Sequence, residues 1–380
     1  MKKMLNFHFD SVVLNEPDNM AVLRSVMRIK SDQARREWLY NLIGATYEDV
    51  KRAAHTNQKL AGLNAVKSLI ITSSFVDNGQ QKFVLGQRMC EMFSLTRLDG
   101  INLDDIRLPF PTFYVHFDAD LGWKIWGGNR THWHTVRGAY VCEMDYDLMD
   151  PSYHPPHRIV NVQLWGEANE KSRRPGDDAT YWMPFIDSLI QKSGAKDLEG
   201  YLDIKLSQPV KSGRLYGANF LASPSAEDYE VDDSEETAAA ARPSVEMGVR
   251  VILNLLLYLS SENPELRRER FGEARVKSLQ KKMRRAKKKR REEYEGRISL
   301  AKSTVTYVGE SIESEFESMQ TENSERAGIR RHIVRGHWHT YRVGPGRAKK
   351  TRKWIKPFWR GHGETLHKHY SVVEPEVADG

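Results

Sequence analysis

Two histidines, His337 and His339, stand two residues apart in a run of cations near the end of the chain. On a strand that spacing puts both imidazoles on one face. An imidazole titrates near neutral pH, so such a pair could serve as general acid and base in RNA cleavage. Arg335 or Arg342 would then stabilise the charged phosphorane. The same pair would make only half of a metal site, and no third and fourth ligand stands at a telling spacing. No metal and no cofactor is therefore expected. The non-catalytic alternative is that the two rings hydrogen-bond phosphates or pack against Trp338.

The surroundings favour a polyanion as partner. From Arg330 to Arg360 there are eleven Lys or Arg residues and no Asp or Glu, with aromatic rings interleaved. Cations to hold phosphates and flat rings on which bases stack are the two needs of single-stranded nucleic-acid binding. The candidates are Arg335, Trp338, Tyr341, Arg342, Arg347, Lys349, Lys350, Arg352, Lys353 and Trp354. Tryptophans in a short domain can equally be its core. Gly344-Pro345-Gly346 predicts a tight turn between Tyr341–Val343 and a second strand near Trp354, hence a small basic hairpin.

A second basic stretch precedes it. Glu265 to Glu295 is predicted as one long helix with a narrow apolar seam of Val276, Leu279, Met283 and Ala286. Nine of the eleven residues from Lys281 to Arg291 are basic. Lys287, Lys288, Lys289 and Arg290 are the candidates for tracking phosphates on RNA or a ribosome surface. The plain alternative is a solvated helix.

The elements that must position these groups are read from periodicity. Residues 1–105 are predicted mainly helical, with Leu23, Val26, Met27, Ala34, Trp38 and Leu42 at helical spacing and a second helix over 47–70. Strands follow Pro109 and Pro111: Phe113–Phe117 and Trp123–Trp126 around an Asp-rich turn, read as a hairpin, then Ala139–Met144 and Ile159–Trp165. Asp118 and Asp120 are assigned to the turn rather than to a cation. A helix over Met183–Gln191 is expected to cover the sheet. Glu227 to Glu236 holds seven carboxylates and reads as a solvated linker. Val245–Leu259 is apolar nearly all round, which predicts a helix at the centre of a core, with Ser244 as its N-cap.

The fold class expected is α+β. It comprises a helical region (1–105), a central, mostly antiparallel sheet region with covering helices (106–226), an acidic linker (227–243) and a buried apolar helix (244–264). A basic helix with an irregular segment (265–326) and a basic aromatic C-terminal domain (327–380) complete it. The charge of +7 agrees with a phosphate-rich partner. Cys90 and Cys142 form no disulfide framework and suit a reducing, cytoplasmic compartment. The opening MKKMLNFHFD has no sustained apolar run, and no segment reads as a membrane span, so no membrane role is expected.

The run Arg335-Gly336-His337-Trp338-His339, with Tyr341, Gly344, Gly346, Ala348, Lys349, Arg352, Trp354 and Pro357, resembles the C-terminal motif of a type V-A anti-CRISPR family. Leu108-Pro109 with Tyr114-Val115 and Gly138-Ala139-Tyr140 is similar to that family's central sheet. Leu253–Pro264, LNLLLYLSSENP, is similar to its apolar helix. The resemblance implies a protein of a phage or mobile element, acting in the bacterial cytoplasm. It implies suppression of effector-nuclease production through recognition of the nascent N-terminal peptide and translation-dependent loss of the mRNA. The implied partners are that peptide and the message or ribosome.

An extended peptide can add to a sheet, with aromatic pockets reading alternate side chains. Phe113, Tyr114, Trp123, Trp126 and Tyr140 are the residues expected to line such a groove. Two other readings stay open: an RNase using His337 and His339, and a nucleic-acid-binding regulator with no peptide specificity.

Overall fold

The computed structural model describes residues 29, 34, 71–126, 133–144, 159–167, 179–207, 216–217, 235–312 and 332–360. Apart from residues 29 and 34, the helices expected over 23–42 and 47–70, most of the acidic linker and the Ser/Glu-rich segment beyond Ile312 lie outside these residues.

The body is a mixed sheet flanked by helices. Strand β1 (Gln81–Gly86) lies parallel to both β2 (Thr112–Asp118) and β9 (Ser303–Val308). It adds a strand to a stretch read as mainly helical. Four consecutive buried residues, Lys82 to Leu85, suit a strand covered on both faces, a pattern that carries no period-2 signal. Helix α1 (Gln87–Ser94) follows without a break.

Strand β3 (Lys124–Trp126) does not form a hairpin with β2. The flanks of β2 are already occupied by β1 and by β4 (Trp133–Met144), so β3 pairs with the start of β4, Trp126 opposite Trp133. Then β5 (Ile159–Glu167), β6 (Ala179–Ile186) and the short β7 (Tyr216–Gly217) continue antiparallel. The helix expected from Met183 begins only at Asp187, as α2 (Asp187–Ser193), because Met183–Ile186 completes β6. Helix α3 is Leu198–Ser207.

Helix α4 (Glu235–Leu259) fills the core as its sequence predicts. Val249, Val251, Ile252, Leu253, Leu255 and Leu256 are fully buried against the sheet, α1 and α3. It starts earlier than expected and runs through Pro243. Ser244 is therefore no N-cap; its Oγ accepts a hydrogen bond from the Lys124 backbone N–H at 2.9 Å and ties α4 to β3.

The single basic helix is replaced by three elements: β8 (Leu266–Phe271), α5 (Glu273–Arg285) and α6 (Lys288–Ala301). Gly272, at φ 79°, starts α5, and a Cβ there would sit 1.8 Å from the Ala301 carbonyl oxygen. The backbone breaks again at Ala286 and Lys287, both extended. The break lets α6 fold back, so that Ile298 closes over Val276 and Leu279. An unbroken helix would leave that seam open to water. Two small sheets complete the chain, β10 (His332–Val334) with β13 (Phe358–Arg360), and β11 (His337–Val343) with β12 (Lys349–Ile355).

Candidate nucleic-acid interface

The basic hairpin forms as its turn residues require. Gly344 and Gly346 take left-handed φ values of 83° and 63°, and antiparallel pairing sets Trp338 opposite Trp354 and His339 opposite Lys353. Strand alternation then gives the hairpin two faces with different chemistry.

The inner face is a docking surface. Trp338 is buried, and its Nε1 donates to Oδ1 of Asn254 at 2.7 Å. Asn254 is fully buried in α4, and its Nδ2 donates to the carbonyls of Phe93 (2.9 Å) and Thr96 (3.0 Å). Trp354 stacks on Trp338 at 6.3 Å between centroids, lies 4.9 Å from Phe93, and donates to Thr96 Oγ1 at 3.2 Å. The Arg97 backbone N–H donates to the Gly336 carbonyl at 3.0 Å. A Cβ on Gly336 would lie 2.5 Å from Thr96 Oγ1 and 2.8 Å from Pro357, so this approach needs glycine.

Further along the same face, Arg352 pairs with Asp105 at 2.5 Å and Lys350 pairs with it at 3.2 Å. Burial alone would raise the Asp105 carboxyl. The Asn102 backbone N–H together with Arg352 and Lys350 outweighs this and holds it below the usual carboxylate range. Trp338, Trp354, Arg352 and Lys350, expected on nucleic acid, are thus turned to the body. Trp338 is buried and Trp354 packs against Trp338, Phe93 and Tyr258, because a short hairpin with little core of its own needs them as its anchor.

The remaining candidates lie on the outer face, near the tip and just before β11. His337, His339 and Lys353 are exposed, Tyr341 is half-buried, and the His339 and Tyr341 rings stack at 5.9 Å. The same-face placement of His337 and His339 holds. Arg342, opposite Lys350 on the inner-face side near the tip, is exposed, as are Arg335 before β11 and Arg347 in the turn, and Lys349 pairs with Val343 in the ladder. Lys287, Lys288 and Arg290 are exposed at the start of α6, and Lys289 follows in the same turn. Among the described residues no cluster of three His, Cys, Asp or Glu is placed to hold a metal ion. Cys90 and Cys142 are buried and form no disulfide, and burial pushes the Cys142 thiol up. No helix among the described residues is long and apolar enough to cross a membrane.

The aromatics expected to line a peptide groove are not brought together. Phe113 and Trp123 pack in the core under α4, whereas Tyr114 and Tyr140 stack on the opposite sheet face beside Phe75. All four are buried, and Trp126 lies in the short strand β3. Adjacent strand residues alternate faces, so Phe113 and Tyr114 cannot line one groove.

Sequence reasoning missed the polar anchors. Asn254 and Arg250 sit inside an apolar helix, and a buried polar group requires a partner, which was the available signal. Arg250 pairs with Glu199 at 2.5 Å and Glu246 at 2.8 Å, and Glu199 accepts from the Leu98 backbone N–H at 2.8 Å. This network holds the α1–β2 connection on α3 and α4, directly behind the hairpin.

Residues 83–361 match the AcrVA2-like family, described as anti-CRISPR type V subtype A2. The chain belongs to this anti-CRISPR family. The matched span runs from within β1 to just past β13, so the AcrVA2-like region takes in α4, the helical pair and the docked hairpin. Three chains of solved structures also match. One, titled "Crystal structure of AcrVA2", is 14% identical with a TM-score of 0.45, covering 90% of this chain and 95% of that chain. No curated protein matches.

Proposed function

We propose that this AcrVA2-like chain suppresses production of a type V-A effector nuclease in the bacterial cytoplasm. In this reading it binds the effector's nascent N-terminal peptide, contacts the message or ribosome, and promotes translation-dependent loss of the mRNA. Family membership supports the anti-CRISPR outcome. The exposed cations of the hairpin support the nucleic-acid contact: Lys353 on the outer face, Arg335 just before β11, Arg342 near the tip and Arg347 in the turn are open to solvent, while Trp338 and Trp354 anchor the inner face. Phe113, Tyr114, Trp123 and Tyr140, expected to hold the peptide, are buried and divided between the two faces of the sheet.

The test is co-expression with a type V-A effector gene, following its transcript. The comparison gene has its first codons recoded to an unrelated peptide. Loss of the native transcript alone supports recognition through the nascent chain. Equal loss of both shows that the peptide is not read, and equal survival removes the proposal. A second reading, RNA cleavage by this chain, is favoured by one observation: His337 and His339 are exposed on one strand face beside Lys353. Purified chain that cleaves RNA, and loses that cleavage in His337→Ala/His339→Ala, would establish it.

A further inference from the structure

The corner between α5 and α6 carries charge that no ion pair among the described residues neutralises. It encloses a concavity of about 610 Å³ lined by Lys282, Arg285, Lys287 and Arg290, with Ala286 at its base and Tyr294 as its one aromatic wall. All four cations are exposed, and among the described residues none has an ion-pair partner. The nearby ion pair, Arg297–Glu293 at 3.7 Å, involves neither the lining cations nor their charge. Four like charges around one hollow repel one another, and an anion placed there removes the repulsion.

The helix ends sharpen the point. Cations in the last turn of α5, Lys282, Arg284 and Arg285, are favourably placed against its dipole. The first turn of α6 has no acidic residue and begins Lys288-Lys289-Arg290, the wrong sign for a helix N-terminus. An anion in the corner would meet both sets of cations at the N-terminal end of α6.

The structure assigns this corner as a binding site for the phosphate backbone of RNA. An enclosed small molecule fits poorly, because pockets for such ligands bury most of the ligand surface and here every cation is open to solvent. A polymer gains from many weak phosphate contacts in an open groove, releasing counterions at each. Tyr294 packs partly on the α5–α6 seam, and its remaining edge gives a sugar or base an uncharged wall. The inference rests on the reading that this chain meets nucleic acid. It adds Lys282, Arg285 and Tyr294, and it makes the corner a contact separate from the hairpin.

The test is fluorescence anisotropy of the full chain with a labelled single-stranded oligouridine of about 20 nucleotides, titrated across salt concentrations. Lys282→Gln/Arg285→Gln/Lys287→Gln/Arg290→Gln is expected to weaken binding at least about tenfold at low salt. Its log–log salt slope should flatten by about 0.7 for each phosphate the variant no longer neutralises. The charge-keeping Arg285→Lys/Arg290→Lys should retain the parental slope. Because these side chains are exposed, the charge-keeping variant should melt like the parent and the four-fold variant within a few degrees of it, the difference being the lost dipole contacts of Lys282 and Arg285. Parental affinity and slope in the four-fold variant overturn the assignment. So does displacement of the RNA by micromolar nucleoside triphosphate, which would mean a small-nucleotide pocket. Loss of effector transcript in cells is a separate readout, so failure here and failure of the proposed function are distinguishable.

Discussion

The C-terminal hairpin and the α5–α6 pair are both strongly basic, yet they are held by different means. The hairpin is fastened to the body through two tryptophans, Asn254 and Asp105, and commits two of its cations, Arg352 and Lys350, to that attachment. The helical pair has its own small seam of Val276, Leu279 and Ile298, and its corner cations are in no ion pair among the described residues. Basic residues in a run are therefore not equivalent. Alternation on a strand splits them into anchors and free charges, whereas a helix corner with a thin seam leaves nearly all of them free.

The largest effect should come from the hairpin anchor. Trp338→Ala removes a buried indole and leaves Asn254 Oδ1 without its donor, at a cost of about 3–5 kcal/mol. Hydrogen exchange should show β11 and β12 losing protection while α5 and α6 keep theirs. Coupled loss in both regions would mean the two are one cooperative unit.

Leu279→Ala should act in the opposite sense, costing about 2–3 kcal/mol within the helical pair. Exchange should rise in α5 and α6, with the Trp338 environment unchanged by near-ultraviolet circular dichroism.

A smaller effect is expected from acid. Asp105 has its carboxyl held below the ordinary value of 3.8, so its contribution is present in full above that pH and is lost as pH falls through the lowered value. Lys350 is half-exposed, so solvent screening limits the loss to about 1 kcal/mol or less. Asp105→Asn should abolish this acid-dependent loosening of β12, measured by exchange rates as pH falls from neutral to below the ordinary value of 3.8.

The smallest structural effect belongs to the outer face. His337→Ala/His339→Ala should leave stability within about 0.5 kcal/mol, since both side chains are exposed. Unfolding by urea checks this, and any larger loss would mean the histidines are anchors too.

Much of the local structure is legible in the residues. Gly344-Pro345-Gly346 between two short runs predicts the hairpin, and the all-round apolar pattern of Val245–Leu259 predicts a buried helix; both are found. The strands at Ala139–Met144 and Ile159–Trp165 also lie where alternation and β-branched residues place them. Other readings fail for identifiable reasons. Gln81–Gly86 carries a continuous buried run that helix and strand share, so only its neighbours β2 and β9 decide the matter. The long basic helix satisfies every local rule except its thin seam, and Gly272 and Ala286 break it so that the seam can be covered.

The candidate site shows the same division. Residue types and spacing determine that the C-terminal segment is a cationic hairpin with His337 and His339 on one face, because strand alternation is a property of the local backbone. Which face is free is decided only by tertiary structure. The inner face is the one that meets Asn254, Thr96 and Asp105, partners 84, 258 and 245 positions away in sequence. Partner choice for a buried indole N–H or a half-buried carboxylate depends on which groups the fold brings within about 3 Å, and no local pattern encodes that distance.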